Sequence, residues 1–183
     1  MTSMGMIRIR EAQPQSRTTT IASFLTADHA RLDALLHRSV GARGKIDRSA
    51  FAEFRAGLLR HISMEEKVLL PAAQEARGGE RLPTAAKLRL DHGALASLLV
   101  PTPTPAIVDA LQRILAAHNA LEEGAGGVYE VCEGLAAAEA NALLAKLQAT
   151  PEVPLHPHVD GPLVIEAVQR ALLRAGYSGL LLD

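Results

Sequence analysis

Six polar residues interrupt stretches of sequence that are otherwise spaced like the apolar faces of helices. They are four histidines and two glutamates: His29, His61, Glu65, His92, His118 and Glu122. Each stands where the helical pattern calls for a leucine, and a carboxylate buried without a counter-charge is very costly. One such residue could be a hydrogen-bonded core histidine. Six of them, spread over four predicted helices, indicate a common partner, and a bound metal would supply it.

The six residues form two copies of one pattern. Asp28-His29 is followed by His61-x-x-x-Glu65-Glu66, and Asp91-His92 is followed by His118-x-x-x-Glu122-Glu123. Four residues advance a helix by about 6 Å and by just over one turn, so the His and Glu of each pair point into the same space. Two such pairs on different helices can surround two metal ions, with each carboxylate bridging both.

The types of ligand restrict the metal. Imidazole and carboxylate without thiolate suit iron or manganese better than a structural zinc site. The charges of the two glutamates offset part of the metal charge, so the buried cluster need not be strongly cationic. Because six side chains serve two ions, coordination positions remain open, and a small exogenous ligand can bind there.

Four amphipathic segments must position these residues. They cover residues 20 to about 40, a stretch capped by Asp47 or Ser49 that runs to about residue 77, a segment opened by Pro83, and one that begins near Ile107. The short breaks between them predict an all-α, up-down-up-down four-helix bundle. Pro71 should bend or shorten the second helix. The glycines at 124, 126 and 127 should interrupt the fourth, giving a kinked continuation or two helices.

The chain divides into three predicted parts. Residues 1–19 are polar and unpatterned and indicate a flexible N-terminal tail. Residues 20–149 form the bundle. Residues 150–183 supply a proline-rich loop and a short additional helix, over about 163–174, that should pack on the outside of the bundle.

Composition agrees with packed helices and a cytoplasmic location. Of 183 residues, 48% are apolar and only 3% aromatic, and the dominance of Ala and Leu favours helices over sheets. A net charge of −1 gives no sign of a nucleic-acid partner, and no apolar run approaches the roughly 20 residues of a membrane span. The single cysteine, Cys132, fits a reducing compartment. A homodimer or a protein partner stays open.

The doubled pattern of a lone His followed by His-x-x-x-Glu resembles the haemerythrin-like family, also called the haemerythrin HHE cation-binding domain. The resemblance covers roughly residues 20–135. It implies two non-haem iron ions that react with dioxygen, nitric oxide or peroxide. It also implies that the four histidines are terminal ligands and that Glu65 and Glu122 bridge the ions. The ferritin-like alternative requires Glu-x-x-His pairs, and no histidine here has a Glu three residues before it.

The chain departs from the oxygen-carrying haemerythrins in its third helix. The carriers have a second histidine four residues after the first, and this chain has Ala96 there. The missing ligand leaves one iron more open, which favours sensing, iron handling or redox chemistry over reversible oxygen carriage. The carriers also place the last carboxylate five residues after its histidine, at Glu123 here. Glu122 is preferred because it repeats the spacing of Glu65, although a distortion at the following glycines could reverse that choice.

Two other functions stay open. The first is a di-iron enzyme that detoxifies nitric oxide or peroxide or repairs iron–sulfur centres. Proteins of that kind typically carry an N-terminal cysteine segment, and residues 1–19 contain no Cys. The second is a regulatory module that needs iron to fold and binds another protein.

The remaining polar residues near the pattern receive plainer interpretations. Glu66 and Glu123 are interpreted as solvated carboxylates or as carboxylates behind the ligands, and Asp28 and Asp91 as helix-surface residues. Tyr129 could line the metal pocket if its helix continues unbroken, but ordinary packing is favoured. The others are expected to have no part in the site: Cys132 as a buried apolar side chain, His37 at a helix end, and His156 and His158 in a loop.

Overall fold

The computed structural model of the protein describes residues 19–41, 44–135 and 137–180. Within these ranges the regular structure is helical, apart from a single bridge between Val40 and Ile46. The predicted all-helical fold is therefore confirmed. The predicted N-terminal tail lies outside the described residues, except for Thr19.

The helices follow one another in a simple order. They are α1 (Ile21–Arg38), α2 (Arg48–Met64), a π-helical turn (Glu65–Leu69), α3 (Leu70–Ala76), α4 (Ala85–Leu98), α5 (Pro105–Glu123), α6 (Val128–Glu133), α7 (Ala137–Gln148) and α8 (Pro162–Arg174). Side-chain caps fix several of the starts. Thr20 and Ser23 form a capping box at α1, Asp47 accepts two backbone N–H bonds at α2, and Thr104 caps α5 just before Pro105. Such caps satisfy backbone N–H groups that have no partner within the helix.

The second predicted helix continues beyond α2 without a break. It passes through the π-helical turn, which begins at Glu65, and Pro71 then lies in the first turn of α3. Proline has no N–H to donate, yet here it comes just after the π-helical turn and the helix continues past it to Ala76. The π-helical turn begins at Glu65, which is a predicted ligand. Such turns are frequent at functional sites.

The chain turns back after α5. Gly126 has a φ of 73°, a backbone conformation that favours glycine, and α6 then packs against α1, α3 and α5. The predicted interruption of the fourth helix is thus resolved as two further helices, α6 and α7. This turn brings Tyr129 of α6 towards the interior, where it is buried.

Two apolar clusters lie on either side of a polar layer. One cluster contains Leu32, Leu58, Leu95 and Ile114, and the other contains residues such as Leu25, Met64, Leu88 and Val128. In α1, α2, α4 and α5, the histidine of the pattern falls in sequence between residues of these two clusters. The polar layer is therefore enclosed by apolar packing above and below.

The last helix packs on the outside of α4. Val168, Ala171 and Leu172 of α8 are buried, and α4 and α8 are in direct contact. Among the described residues, no helix is both long enough and apolar enough to cross a membrane.

Candidate metal centre

One polar layer brings together all six predicted ligands. Each is at most 6% exposed. The helices contribute them in turn: His29 from α1, His61 from α2, Glu65 from the π-helical turn, His92 from α4, and His118 and Glu122 from α5. The regular spacing seen in the sequence thus places six polar side chains at one level of the fold.

The six side chains form two overlapping groups. The first is His29, His61, Glu65 and Glu122, and the second is Glu65, His92, His118 and Glu122. Within each group, one nitrogen or oxygen atom from every residue lies within 4.8 Å of the others. Both glutamates belong to both groups, so two cations held in these groups would share the two carboxylates.

A carboxylate stands behind each histidine ring. The distances from Nδ1 are 2.7 Å for His29 to Glu123, 2.8 Å for His61 to Asp28, 2.6 Å for His92 to Glu66, and 3.6 Å for His118 to Asp91. Asp91 lies too far from His118 for a hydrogen bond. At the three shorter distances the carboxylate accepts the hydrogen carried by Nδ1, so a neutral ring then presents the bare lone pair of Nε2. That lone pair is what a metal ion binds, and such carboxylates fix the orientation of a ligating ring.

The structure corrects the interpretation of Asp28 and Asp91 as helix-surface residues. Asp28 is mostly buried, and Asp91 is fully buried. Each points away from the histidine beside it in sequence, but towards a histidine on the neighbouring helix. The sequence did contain a sign of this role, because the Asp-His and Glu-Glu doublets occur in both copies of the pattern. An acidic residue that served only the surface of its own helix would not need to recur beside the ligand in each copy.

Three of these carboxylates also contact a cation on their outer side. Arg31 binds Asp28 at 2.7 Å, Arg89 binds Glu66 at 3.2 Å, and Lys87 binds Asp91 at 2.5 Å. The pKa of Glu66 is lowered by its hydrogen bond with His92 and by Arg89, although burial opposes the shift. These contacts help to lower the pKa values of Asp28, Glu66 and Asp91, so these three carboxylates are held in their charged, hydrogen-accepting form.

The geometry separates Glu122 from Glu123. Glu122 is almost fully buried and belongs to both groups, whereas Glu123 is far more exposed and contacts His29 from behind. The glycines that could have reversed this choice follow the end of α5 and do not distort it.

Tyr129 also belongs to the polar layer, which the sequence interpretation as ordinary packing missed. Its hydroxyl lies 3.3 Å from His29 Nε2 and 3.4 Å from Glu65 Oε1, and its ring stacks on His29. Burial, and then the charges of nearby glutamates, raise the pKa of Tyr129 far above its ordinary value. The hydroxyl is therefore a hydrogen-bond donor that faces the six side chains.

Glu122 lacks a hydrogen-bond donor within the layer. Both oxygens of Glu122 are shielded from solvent and accept no hydrogen bond from the described residues. The histidine nitrogens that approach them are His29 Nε2 and His118 Nε2, each 3.4 Å away. Burial, and then the charge of Glu65, raise the pKa of Glu122. A cation would remove this mismatch, so the residues present fit a metal.

Two of the rings carry protons when no metal is bound. Burial alone would lower the pKa of His61, but Glu65 and Asp28 raise it to about 10. Burial likewise opposes ionisation of His92, yet Glu65 and Glu66 raise its pKa to about 9. A ligating imidazole must be neutral, so a metal would take the place of these protons.

A cavity of about 280 Å³ reaches the centre between α1 and α5. Its walls include Leu32, Leu58 and Leu115, and its inner end is formed by side chains of the six-residue set, including His29 and His61. The residue of α4 that lines the cavity is Leu95. Ala96, the next residue in the sequence, is half-buried. The cavity gives a small molecule a path to the polar layer.

The other candidate residues lie away from this layer. His37 is exposed at the end of α1, and Cys132 is buried in an apolar cluster, as predicted. His158 lies beside the carbonyl oxygen of Val100, and the carbonyl oxygen of His156 accepts a hydrogen bond from Arg55. Neither His156 nor His158 approaches the six residues.

These features define a helical protein with a buried imidazole–carboxylate site suited to cations. The model of the family described as Hemerythrin HHE cation binding domain matches residues 20–149. The chain therefore belongs to this family, which confirms the resemblance seen in the sequence. Comparison with curated proteins and with solved structures gave no significant match.

Proposed function

We propose that residues 20–149 form an up-down-up-down four-helix bundle that holds two non-haem iron ions and binds a small ligand such as dioxygen, nitric oxide or peroxide. The observation that carries this proposal is that Glu65 and Glu122 belong to both groups of potential ligands. The protein would act in sensing, scavenging or iron handling. Residues 150–183 then form an outer loop and helix.

In this proposal the histidines divide between the two ions. His29 and His61 would hold one ion, His92 and His118 would hold the other, and Glu65 and Glu122 would contribute to both. Each ion then has four protein donor atoms. Iron favours more donors than four in sites built from nitrogen and oxygen, so positions remain for an exogenous ligand. Iron bound here would supply Lewis-acid and redox chemistry.

The surrounding residues support binding of a small ligand. Leucines line part of the cavity, and an apolar surrounding strengthens electrostatic interactions at the centre. The Tyr129 hydroxyl is protonated and faces the polar layer, so it can donate a hydrogen bond to a bound anion. Asp33, which is exposed, and Gln112 provide polar groups along the cavity.

A second candidate function, an enzyme acting on nitric oxide or peroxide, is favoured by the size of the cavity. A water molecule occupies about 30 Å³ in the liquid, and the cavity is several times larger. A diatomic ligand alone does not need this room. Repeated consumption of nitric oxide or peroxide by the iron-loaded protein would indicate the enzyme, and a single binding event per centre would indicate a sensor or carrier.

Azide binding tests the proposed function. Azide should bind the oxidised, iron-loaded protein and give a new visible absorption band. Leu115→Phe should slow that binding, because Leu115 lines the cavity. The iron content should not change. Leu59→Phe is the matched control, since Leu59 is also a half-buried leucine in the helical region but does not line the cavity. Stopped-flow absorbance measures both rates, and iron-loaded protein that gives no azide band would contradict the proposal.

A further inference from the structure

Lys87 joins the C-terminal part of the chain to a carboxylate behind the proposed centre. Its Nζ lies 2.5 Å from Asp91 Oδ1, 2.8 Å from the carbonyl oxygen of Ala175 and 3.2 Å from the Tyr177 hydroxyl. It also lies 4.3 Å from the centre of the Tyr177 ring. An ammonium group has three donors, so all three have acceptors, and two of those acceptors follow α8.

Asp91 is the inner neighbour of Lys87. Its side chain is fully buried, and its second oxygen, Oδ2, faces His118 Nδ1 at 3.6 Å. One carboxylate thus lies between Lys87 on its outer side and a predicted metal ligand on its inner side. Ala175 and Tyr177 lie outside residues 20–149, the part that matches the family. The connection therefore reaches from the family domain into the sequence that follows it.

The other two cationic side chains behind the site make no contact with the C-terminal segment among the described residues. Arg31 and Arg89 contact Asp28 and Glu66, and both lie in the part of the chain that matches the family. The carboxylates they hold approach their histidine rings to 2.8 Å and 2.6 Å. Asp91 stands farther from the His118 ring, at 3.6 Å, and its other carboxylate oxygen contacts Lys87.

We propose that Lys87 is a positioning residue through which the C-terminal segment controls how firmly the centre retains metal. The inference rests on the proposed metal centre. A carboxylate behind a ligating histidine fixes the ring and increases its basicity. Lys87 fixes that carboxylate in turn, and Tyr177 and Ala175 fix Lys87. Without Lys87, buried Asp91 loses its cationic partner. The carboxylate that lies 3.6 Å behind the His118 ring, too far for a hydrogen bond in this structure, is then no longer held in place to orient that ring as it binds metal.

The test compares the loss of iron from matched variants. Lys87→Met keeps the aliphatic stem but removes the ammonium, and iron should pass to a chelator about tenfold faster, as is typical when a group behind a ligand is removed. Tyr177→Phe removes one hydroxyl and should give a smaller change in the same direction. Lys87→Arg keeps a cation and should restore slow loss and the parent azide band, which Lys87→Met should shift.

Thr102→Val is the control for general loosening of the C-terminal segment. Its hydroxyl donates to Asp160 at 2.7 Å, and this contact does not lead to the centre. Melting of the metal-free proteins measures any structural loss. The increase in melting temperature on adding iron should shrink for Tyr177→Phe and remain unchanged for Thr102→Val.

The outcomes separate this inference from the proposed function. If the parent protein binds no iron, both are overturned. If the parent binds iron, but Lys87→Met and Tyr177→Phe lose it at the rate of Thr102→Val, only the role of Lys87 is overturned. If Lys87→Met does not fold, the comparison of Tyr177→Phe with Thr102→Val decides.

Discussion

Replacing Glu65 or Glu122 with glutamine should remove both iron ions, whereas replacing His29 with alanine should remove only one. The difference follows from membership of the two groups: each glutamate belongs to both, and His29 belongs to the first alone. Glutamine keeps the size of the side chain but removes the charge that offsets two cations. Iron analysis per chain after loading and desalting measures the effect.

A surface carboxylate on the same helices provides the control. Glu53 on α2 is exposed, and within the described part of the chain its side chain makes one long contact, with Arg38, so Glu53→Gln should retain the parent iron content. Circular dichroism of each metal-free variant shows whether it is folded. If folded Glu65→Gln kept one ion at full occupancy, Glu65 would not be a shared ligand.

Removing the metal should lower the melting temperature by about 10 °C. A ligand present at about a thousand times its dissociation constant stabilises the native state by about 4 kcal/mol. For a chain of this size, each kcal/mol corresponds to about 2–4 °C. The physical cause is the crowding of Glu65, Glu122 and four imidazoles, which the cations otherwise offset. Equal melting temperatures, with loss of metal confirmed, would contradict an internal site.

The metal-free form should also lose stability as the pH rises, and the metal-bound form should not. The pKa values of His61 and His92 are raised to about 10 and about 9 in the folded protein, above the ordinary value of about 6.5. Their stabilisation is therefore complete below about pH 6.5 and is lost as the pH rises through 9 and 10. Bound metal keeps these rings neutral, so the loss disappears. Urea unfolding from pH 6.5 to 10, with and without metal, measures both dependences.

The six-residue set could be predicted from sequence because polar residues on an apolar helical stripe are conspicuous. His61 and Glu65 differ from their neighbours on the stripe in type, and helical spacing alone places them together. The same rule located the four main helices, and residue type limited the cap of the second to Asp47 or Ser49, of which the structure uses Asp47. Such features depend on residues within a few turns of one another.

The residues that were missed depend on how separate helices meet. Asp91 points away from its own neighbour His92, and only the position of α5 shows that it faces His118. Tyr129 reaches the layer because the chain turns at Gly126, not because α5 continues. The role of Lys87 requires the position of Tyr177, which is 90 residues away in the sequence. Periodicity within one helix contains none of this information.

An anomalous difference map from crystals of the iron-loaded protein, collected at the iron absorption edge, tests the central claim most directly. The proposal predicts two peaks of similar height in the polar layer, about 3.5–4 Å apart, as in carboxylate-bridged metal pairs. One peak should lie beside His29 and His61, the other beside His92 and His118, with Glu65 and Glu122 between them. A single peak in this layer, or iron found only at surface histidines such as His156 and His158, would contradict it.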